Sequence, residues 1–216
     1  SNLNKECKKE IDMLVDGDTV FVNTWVGQCG RKYVNDTGIN LKSNYEIYKK
    51  VYEVLEIEIE KNMDYYIPEI DYSKFEIKKI NDFLKKYDDK RFKVLISNGE
   101  TYSAQSSNFS FEPIIDKLSD RFQDAIFILT SKTNIQQKNN IFQANDIIGK
   151  EKNLNEISYL SKFCNIIIGR SSGPYAFCQI KDNFYDENKT FMNFIKDEKQ
   201  EWYIGDVCEH IISKNL

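Results

Sequence analysis

NLNEISYLSKFCNIIIGRSSGPYAFCQ, residues 153–179, decides the fold. Residues 154–163 carry apolar side chains at helical spacing, and Ile166-Ile167-Ile168 is an uninterrupted apolar run. Gly169-Arg170-Ser171-Ser172-Gly173 then leads straight into a second helical stretch with Pro174 at its start. A strand without polar alternation is buried on both faces. Between helices, that means a parallel sheet covered on both sides. A small-residue loop that opens a helix also presents backbone N–H groups and hydroxyls at the helix's positive end, a setting for phosphate or another anion. The same residues have a plainer reading, with Ser172 as an N-cap and Pro174 in the first turn.

The pattern extends in both directions. Residues 92–97 (FKVLIS) and 125–130 (AIFILT) read as buried strands, with an amphipathic helix over 109–122 between them. An Asn/Gln-rich piece from 133 to 145 leads to a short strand at Asp146-Ile147-Ile148. A strand at 201–204 and a helix from about Asp206 close the chain. Upstream, residues 4–15 read as an amphipathic helix, Asp16-Gly17-Asp18 as a turn and residues 19–25 as a strand. Ser43-Asn44-Tyr45-Glu46 is a capping box for a helix whose stripe of Tyr45, Tyr48 and Tyr52 reads as core. Residues 62–70, with Pro68, form a connector, and Ser73-Lys74-Phe75-Glu76 opens a further helix to about Tyr87. The expected fold is therefore α/β. A three-layer domain with a mainly parallel sheet occupies residues 91–216, preceded by a short, mostly helical segment (residues 1–90) that carries one clear strand.

Composition narrows the function. At 216 residues, with 41% hydrophobic and 30% charged side chains, the chain can bury one sizeable core. Its net charge is −4, with lysines interleaved among Glu and Asp, which disfavours nucleic acid as a partner. The five cysteines are scattered without a C-x-x-C pair. They read as reduced thiols of a cytoplasmic protein, not as a disulfide framework or zinc site. With His210 the single histidine, multi-histidine metal sites are excluded and Ser-His-Asp catalysis is disfavoured. No run approaches the ~20 apolar residues of a membrane span. Ser1-Asn2 in place of an initiator Met reads as a cleavage scar.

Ligands of open α/β sheets sit beyond the carboxyl ends of the strands. Three loops qualify, at residues 27–30, 98–107 and 170–174. The second, NGETYSAQSS, is rich in hydroxyls and amides and longer than the ~2–6 residues of an ordinary βα connection.

On these residues the stretch 92–180 resembles the C-terminal, nucleotide-sugar-binding domain of GT-B glycosyltransferases, closest to the heptosyltransferases that use ADP-heptose. The likeness lies in VLISNGETYSAQSS (residues 94–107), in the helix start Leu154-Asn155-Glu156, and in GRSSGPYAF (residues 169–177). It implies a Rossmann-like half of a GT-B enzyme and a diphosphate held by Ser172 and Gly173, with Ser171 and Pro174 beside them. Asn98, Gly99 and Glu100 would face the same donor, and Glu156 belongs to the implied site. The family's acidic and histidine positions are Ser171 and Ala176 here, and residues 101–107 lack its lysine. Arg170 stands where that missing charge could be supplied. Residues 1–90 are too few for an independent acceptor domain and would be at most its remnant.

The implied activity is metal-independent transfer of a sugar from a nucleoside diphosphate-sugar to a glycan or other hydroxyl acceptor, with no resident cofactor. No catalytic residue is assigned, although Asp16, Asp18 and Asp36 are candidates for a general base. The alternatives are a non-catalytic nucleotide- or sugar-binding module, or a protein-interaction domain derived from such a half.

Overall fold

A computed structural model describes residues 13–16, 18–22, 48–49, 51–53, 55–58, 67–87, 91–101, 106–149, 154–195 and 209–213. The chain divides into two compact units. One comprises residues 1–67 and 199–204, the other residues 68–198 and 205–216.

In the first unit, β1 (Met13–Asp16) and β2 (Thr19–Val22) form an antiparallel hairpin, in register from Met13↔Val22 to Asp16↔Thr19. The amphipathic helix expected over residues 4–15 thus gives way to a strand at its end; its remainder lies outside the described residues, as does the turn at 27–30. Among the described residues β2 pairs only with β1, in a sheet of two strands. Residues 48–49 and 51–53 are helical, with Val51 buried and Tyr48 and Tyr52 exposed. Tyr48 and Tyr52 are therefore not core: the helix turns Val51 inward and leaves them exposed, while Tyr45 of the expected stripe lies outside the described residues.

The second unit is built on six parallel strands: β3 (Lys93–Ser97), β4 (Ile126–Leu129), β5 (Ile141–Gln143), β6 (Ile166–Arg170), β7 (Thr190–Phe194) and β8 (Glu209–Ser213). Their spatial order is β5-β4-β3-β6-β7-β8. Numbered along the chain from β3, that is the 3-2-1-4-5-6 order of doubly wound, Rossmann-like domains. The helices are α1 (Lys78–Lys86), α2 (Glu112–Arg121), α3 (Ala144–Ile148), α4 (Leu154–Ser161), α5 (Gly173–Ala176) and α6 (Lys181–Phe184).

Strand alternation assigns the two faces. Val94, Ile96, Phe127, Leu129, Ile168 and Phe194 share one core cluster with Phe111 and with Ile115 of α2. Leu95, Ile126, Ile128, Ile167 and Phe191 take the opposite face and are fully buried. The remaining helices bury Ile80, Leu84, Ile147, Ile157 and Leu160. No described helix is long and apolar enough to cross a membrane.

Three segments differ from the sequence reading. Ile147 and Ile148 are helical, because Gly149 at φ +82° supplies a left-handed C-cap that ends α3. The strand lies just upstream at residues 141–143, on the sheet edge, where half-burial demands less apolar character. The helix expected from Asp206 is replaced by β8 over residues 209–213, while the strand expected at 201–204 lies outside the described residues. The second capping box does not open a helix: Ser73 donates to Asp71 within a 3₁₀ turn (Tyr72–Lys74), and α1 begins at Lys78.

One buried cation has a purely architectural role. Lys189 is 3% exposed, and its Nζ donates to the carbonyls of Ser161, Lys162 and Cys164 at 3.2, 2.8 and 2.7 Å. It caps the carboxyl end of α4, where four carbonyls lack intrahelical partners and the helix dipole favours a cation.

Candidate functional site

The strand order reverses between β3 and β6. At such a switch point the two outgoing loops diverge to opposite faces and leave a crevice at the carboxyl ends of the strands. The loops that leave β3 and β6 are two of those singled out in the sequence, residues 98–107 and 170–174. Ser97 pairs with Gly169 in the parallel ladder, and the hydroxyls of Ser97 and Ser172 are hydrogen-bonded at 3.2 Å.

A recess of about 460 Å³ opens beside this point, with Asn98, Gly99, Glu100 and Arg170 in its wall. Ser131, Lys132 and Thr133, which follow β4, complete that side, and Glu112 at the start of α2 adds a second carboxylate. Sequence reasoning passed over the loop after β4, although the strand-end rule that found the other two applies to it equally. Ser171, Ser172, Gly173, Pro174 and Glu156 lie outside the wall of this recess.

Arg170 holds the site together from below. It lies on the strand face shared with Ile166 and Ile168, is 1% exposed, and stacks on Phe109 and Phe111 with its guanidinium 4.7 and 4.8 Å from the ring centroids. The guanidinium donates to the carbonyl of Asn98 at 3.2 Å and to those of Gly99 and Phe109. Both ends of the 98–109 loop are thereby tied to one side chain. Burial pulls the guanidinium pKa below its ordinary value, opposed by the charge of Glu100. This positive charge is directed into the backbone carbonyls of Asn98, Gly99 and Phe109.

The rest of the loop is closed by side-chain clasps. The Asn98 amide donates to the Ser131 carbonyl at 2.8 Å, and its oxygen accepts from the Ser131 N–H at 2.9 Å, locking the ends of β3 and β4 together. Asn108 does the same across the neck of the loop, accepting from the Thr101 N–H at 2.8 Å and donating to the Thr101 carbonyl at 2.9 Å. Ser106 donates to the carbonyl of Phe194 at 3.0 Å. A Cβ on Gly99 would sit 2.7 Å from the Ser131 hydroxyl, so the two loops approach too closely there for a side chain.

The second loop is more modest than its sequence suggests. The helix after it, α5, is a single turn, so little macrodipole accumulates at Gly173. Ser172 is the N-cap of this turn by position, its carbonyl accepting from the Ala176 N–H at 2.9 Å, but its hydroxyl makes no capping hydrogen bond and pairs with Ser97 instead. Ser171 is fully buried, and its N–H donates to the Phe194 carbonyl at 3.3 Å. Gly173 is exposed, with open space where a side chain would project, and Glu156 is buried in the first turn of α4. Gly169 has a packing role: a Cβ there would meet the Cβ of Ser97 at 2.8 Å and the ring of buried Tyr175 at 2.9 Å.

The recess is electrostatically mixed. Glu100 and Lys132 are exposed at its wall, while the Glu112 carboxylate accepts from the Asn134 N–H at 2.7 Å. Lys132 thus offers a solvent-facing cation to an anionic ligand, beside the hydroxyls of Ser131 and Thr133. Among the described residues no cluster of three His, Cys, Asp or Glu side chains could hold a metal ion. Of the candidate bases, Asp18 is exposed in the hairpin turn, Asp16 lies on β1, and Asp36 falls outside the described residues.

No family model matches the chain, and no curated protein is significantly similar to it.

Proposed function

We propose that the protein binds a nucleoside diphosphate-sugar at the β3/β6 switch point and acts as the donor-binding half of a GT-B-type glycosyltransferase. One observation carries the reading: the strand order sets the polar loops after β3 and β6 side by side, Ser97 to Ser172, next to a recess that would take part of such a donor. In this reading the exposed Lys132 meets the diphosphate, the hydroxyls of Ser131 and Thr133 add hydrogen bonds, and Glu100 accepts from a sugar hydroxyl. Charge on the departing diphosphate is offset by fixed donors, an electrostatic contribution that needs no metal. The acceptor is a glycan or another hydroxyl compound.

A second reading is a module that binds the nucleotide-sugar without turning it over. It is favoured by the commitment of the Arg170 guanidinium to loop carbonyls, which leaves Lys132 as the cation of the recess wall open to a diphosphate.

Titration calorimetry against ADP, GDP, UDP, CDP and their sugar conjugates tests both. Binding of one nucleotide series, weakened at least tenfold by Lys132→Glu at unchanged Tm, supports the site. Hydrolysis or transfer of the bound sugar selects the transferase over the module. Absence of binding at millimolar nucleotide rejects both.

A further inference from the structure

A groove of about 790 Å³ runs along the outer edge of the sheet, lined by α1, by edge strand β5 and by the segment joining β4 to β5. Phe83 and Tyr87, at the end of α1, and Phe142, on β5, form a triad of rings in this wall, with centroids 4.8, 5.1 and 4.7 Å apart. All three residues are only partly buried, and the Lys86 ammonium lies 5.2 Å from the centroid of the Tyr87 ring. Gln136, Gln137 and Gln143 share the groove, and their carboxamides have no hydrogen-bond partner among the described residues.

Ring faces beside unpaired carboxamides suit one class of ligand. The C–H face of a pyranose covers an aromatic ring, and its adjacent hydroxyls match a carboxamide, which offers two donors and two acceptor lone pairs in one plane. The charges in the wall favour this over a polyanion. The wall holds Lys79 and Lys86 alongside Asp82 and Asp146, Asp82 being paired with Lys78 at 2.6 Å, and Lys138 is held by Asp116 and Asp120 at 2.6 and 2.7 Å. A single-stranded nucleic acid would require a cationic track along such a groove.

We propose that the α1/β5 groove is a carbohydrate-binding site that takes an oligosaccharide chain, with sugar rings on the Tyr87–Phe142 wall and hydroxyls on Gln136, Gln137 and Gln143. Thr133 lies in the walls of both this groove and the switch-point recess, so a bound glycan runs up to the recess. The groove's chemistry stands without the donor reading, and a protein that binds glycan but no nucleotide would uphold it.

The full chain is applied to an array of defined neutral and acidic oligosaccharides, and the strongest-binding glycan is titrated by calorimetry. Two variants are compared: Gln136→Ala with Gln137→Ala, whose exposed side chains leave folding intact, and Tyr87→Ala. The expected result is binding of one glycan class, weakened at least tenfold by the double glutamine variant at unchanged Tm. The proposal is overturned if no glycan binds, or if affinity stays within twofold in both groove variants.

Discussion

Replacing Arg170 by methionine keeps an unbranched apolar stem but removes the guanidinium that ties the 98–109 loop to β6. Three guanidinium–carbonyl hydrogen bonds are lost, to Asn98, Gly99 and Phe109. Hydrogen bonds to a charged group contribute about 1.5–3 kcal/mol each, and the two ring contacts about 0.5–2 kcal/mol each. Much of that gross stabilisation is offset by the cost of desolvating the guanidinium, the same burial that lowers its pKa. What remains decisive is that three carbonyls lose their donor in a site where Arg170 is 1% exposed. An acceptor left buried without its donor costs about 1–3 kcal/mol, and three part-buried carbonyls together come to about 3–5 kcal/mol. With an m-value of about 2 kcal/mol/M, the urea midpoint followed by far-UV circular dichroism should fall by about 1.5–2.5 M. Arg170→Lys should recover only part of the loss, since an ammonium cannot serve both legs of the loop with a planar fork. A fall below about 0.5 M, or a lysine variant as stable as the wild type, would refute the claim that Arg170 clamps the loop.

Further outcomes follow from the same packing. Gly169→Ala should cost about 1–3 kcal/mol, because its Cβ collides with Ser97 and Tyr175, whereas Gly173→Ala should stay within about 0.5 kcal/mol; equal effects in chemical denaturation would contradict the geometry. Cys164 and Cys178 are buried, and burial pushes both thiols up to about 12. With the other three cysteines changed to serine, thiol labelling should therefore proceed at the rate of unfolding, and rapid labelling of the native state would show the core to be open. Burial also raises the Tyr72 phenol from its ordinary value near 10 to about 12. The unfolded chain then releases this proton first, so stability falls as pH rises between those values. Tyr72→Phe should flatten that fall, and an unchanged slope would mean that the phenol does not differ between the two states.

The parts of the fold legible in sequence are those buried from both sides. Val94-Leu95-Ile96, Ile126-Phe127-Ile128-Leu129 and Ile166-Ile167-Ile168 are apolar runs because each lies inside the sheet with covered faces. At the edges the signal fades. Ile141-Phe142-Gln143 is half-buried and sits within an amide-rich stretch, while the apolar pairs Ile147-Ile148 and Ile211-Ile212 are too short to distinguish period 2 from period 3.6.

The candidate site divides in a similar way. That polar loops follow β3 and β6 could be read locally, but the destination of their side chains could not. Arg170 points toward Phe109 and Phe111 because strand alternation puts it on the α2 face, and its carbonyl partners come from residues 61–72 positions away. Likewise, local sequence places Ser172 at the helix N-cap, where it sits, but Ser97 lies 75 positions away, so the destination of the Ser172 hydroxyl was not legible.

Hydrogen exchange with and without saturating nucleoside diphosphate-sugar tests the central claim most directly, since it reports where a ligand binds. The account predicts joint protection of peptides covering residues 97–101, 130–133 and 170–174, the three segments that meet at the switch point. Protection confined to other parts of the chain, or none with any nucleotide-sugar, would contradict it.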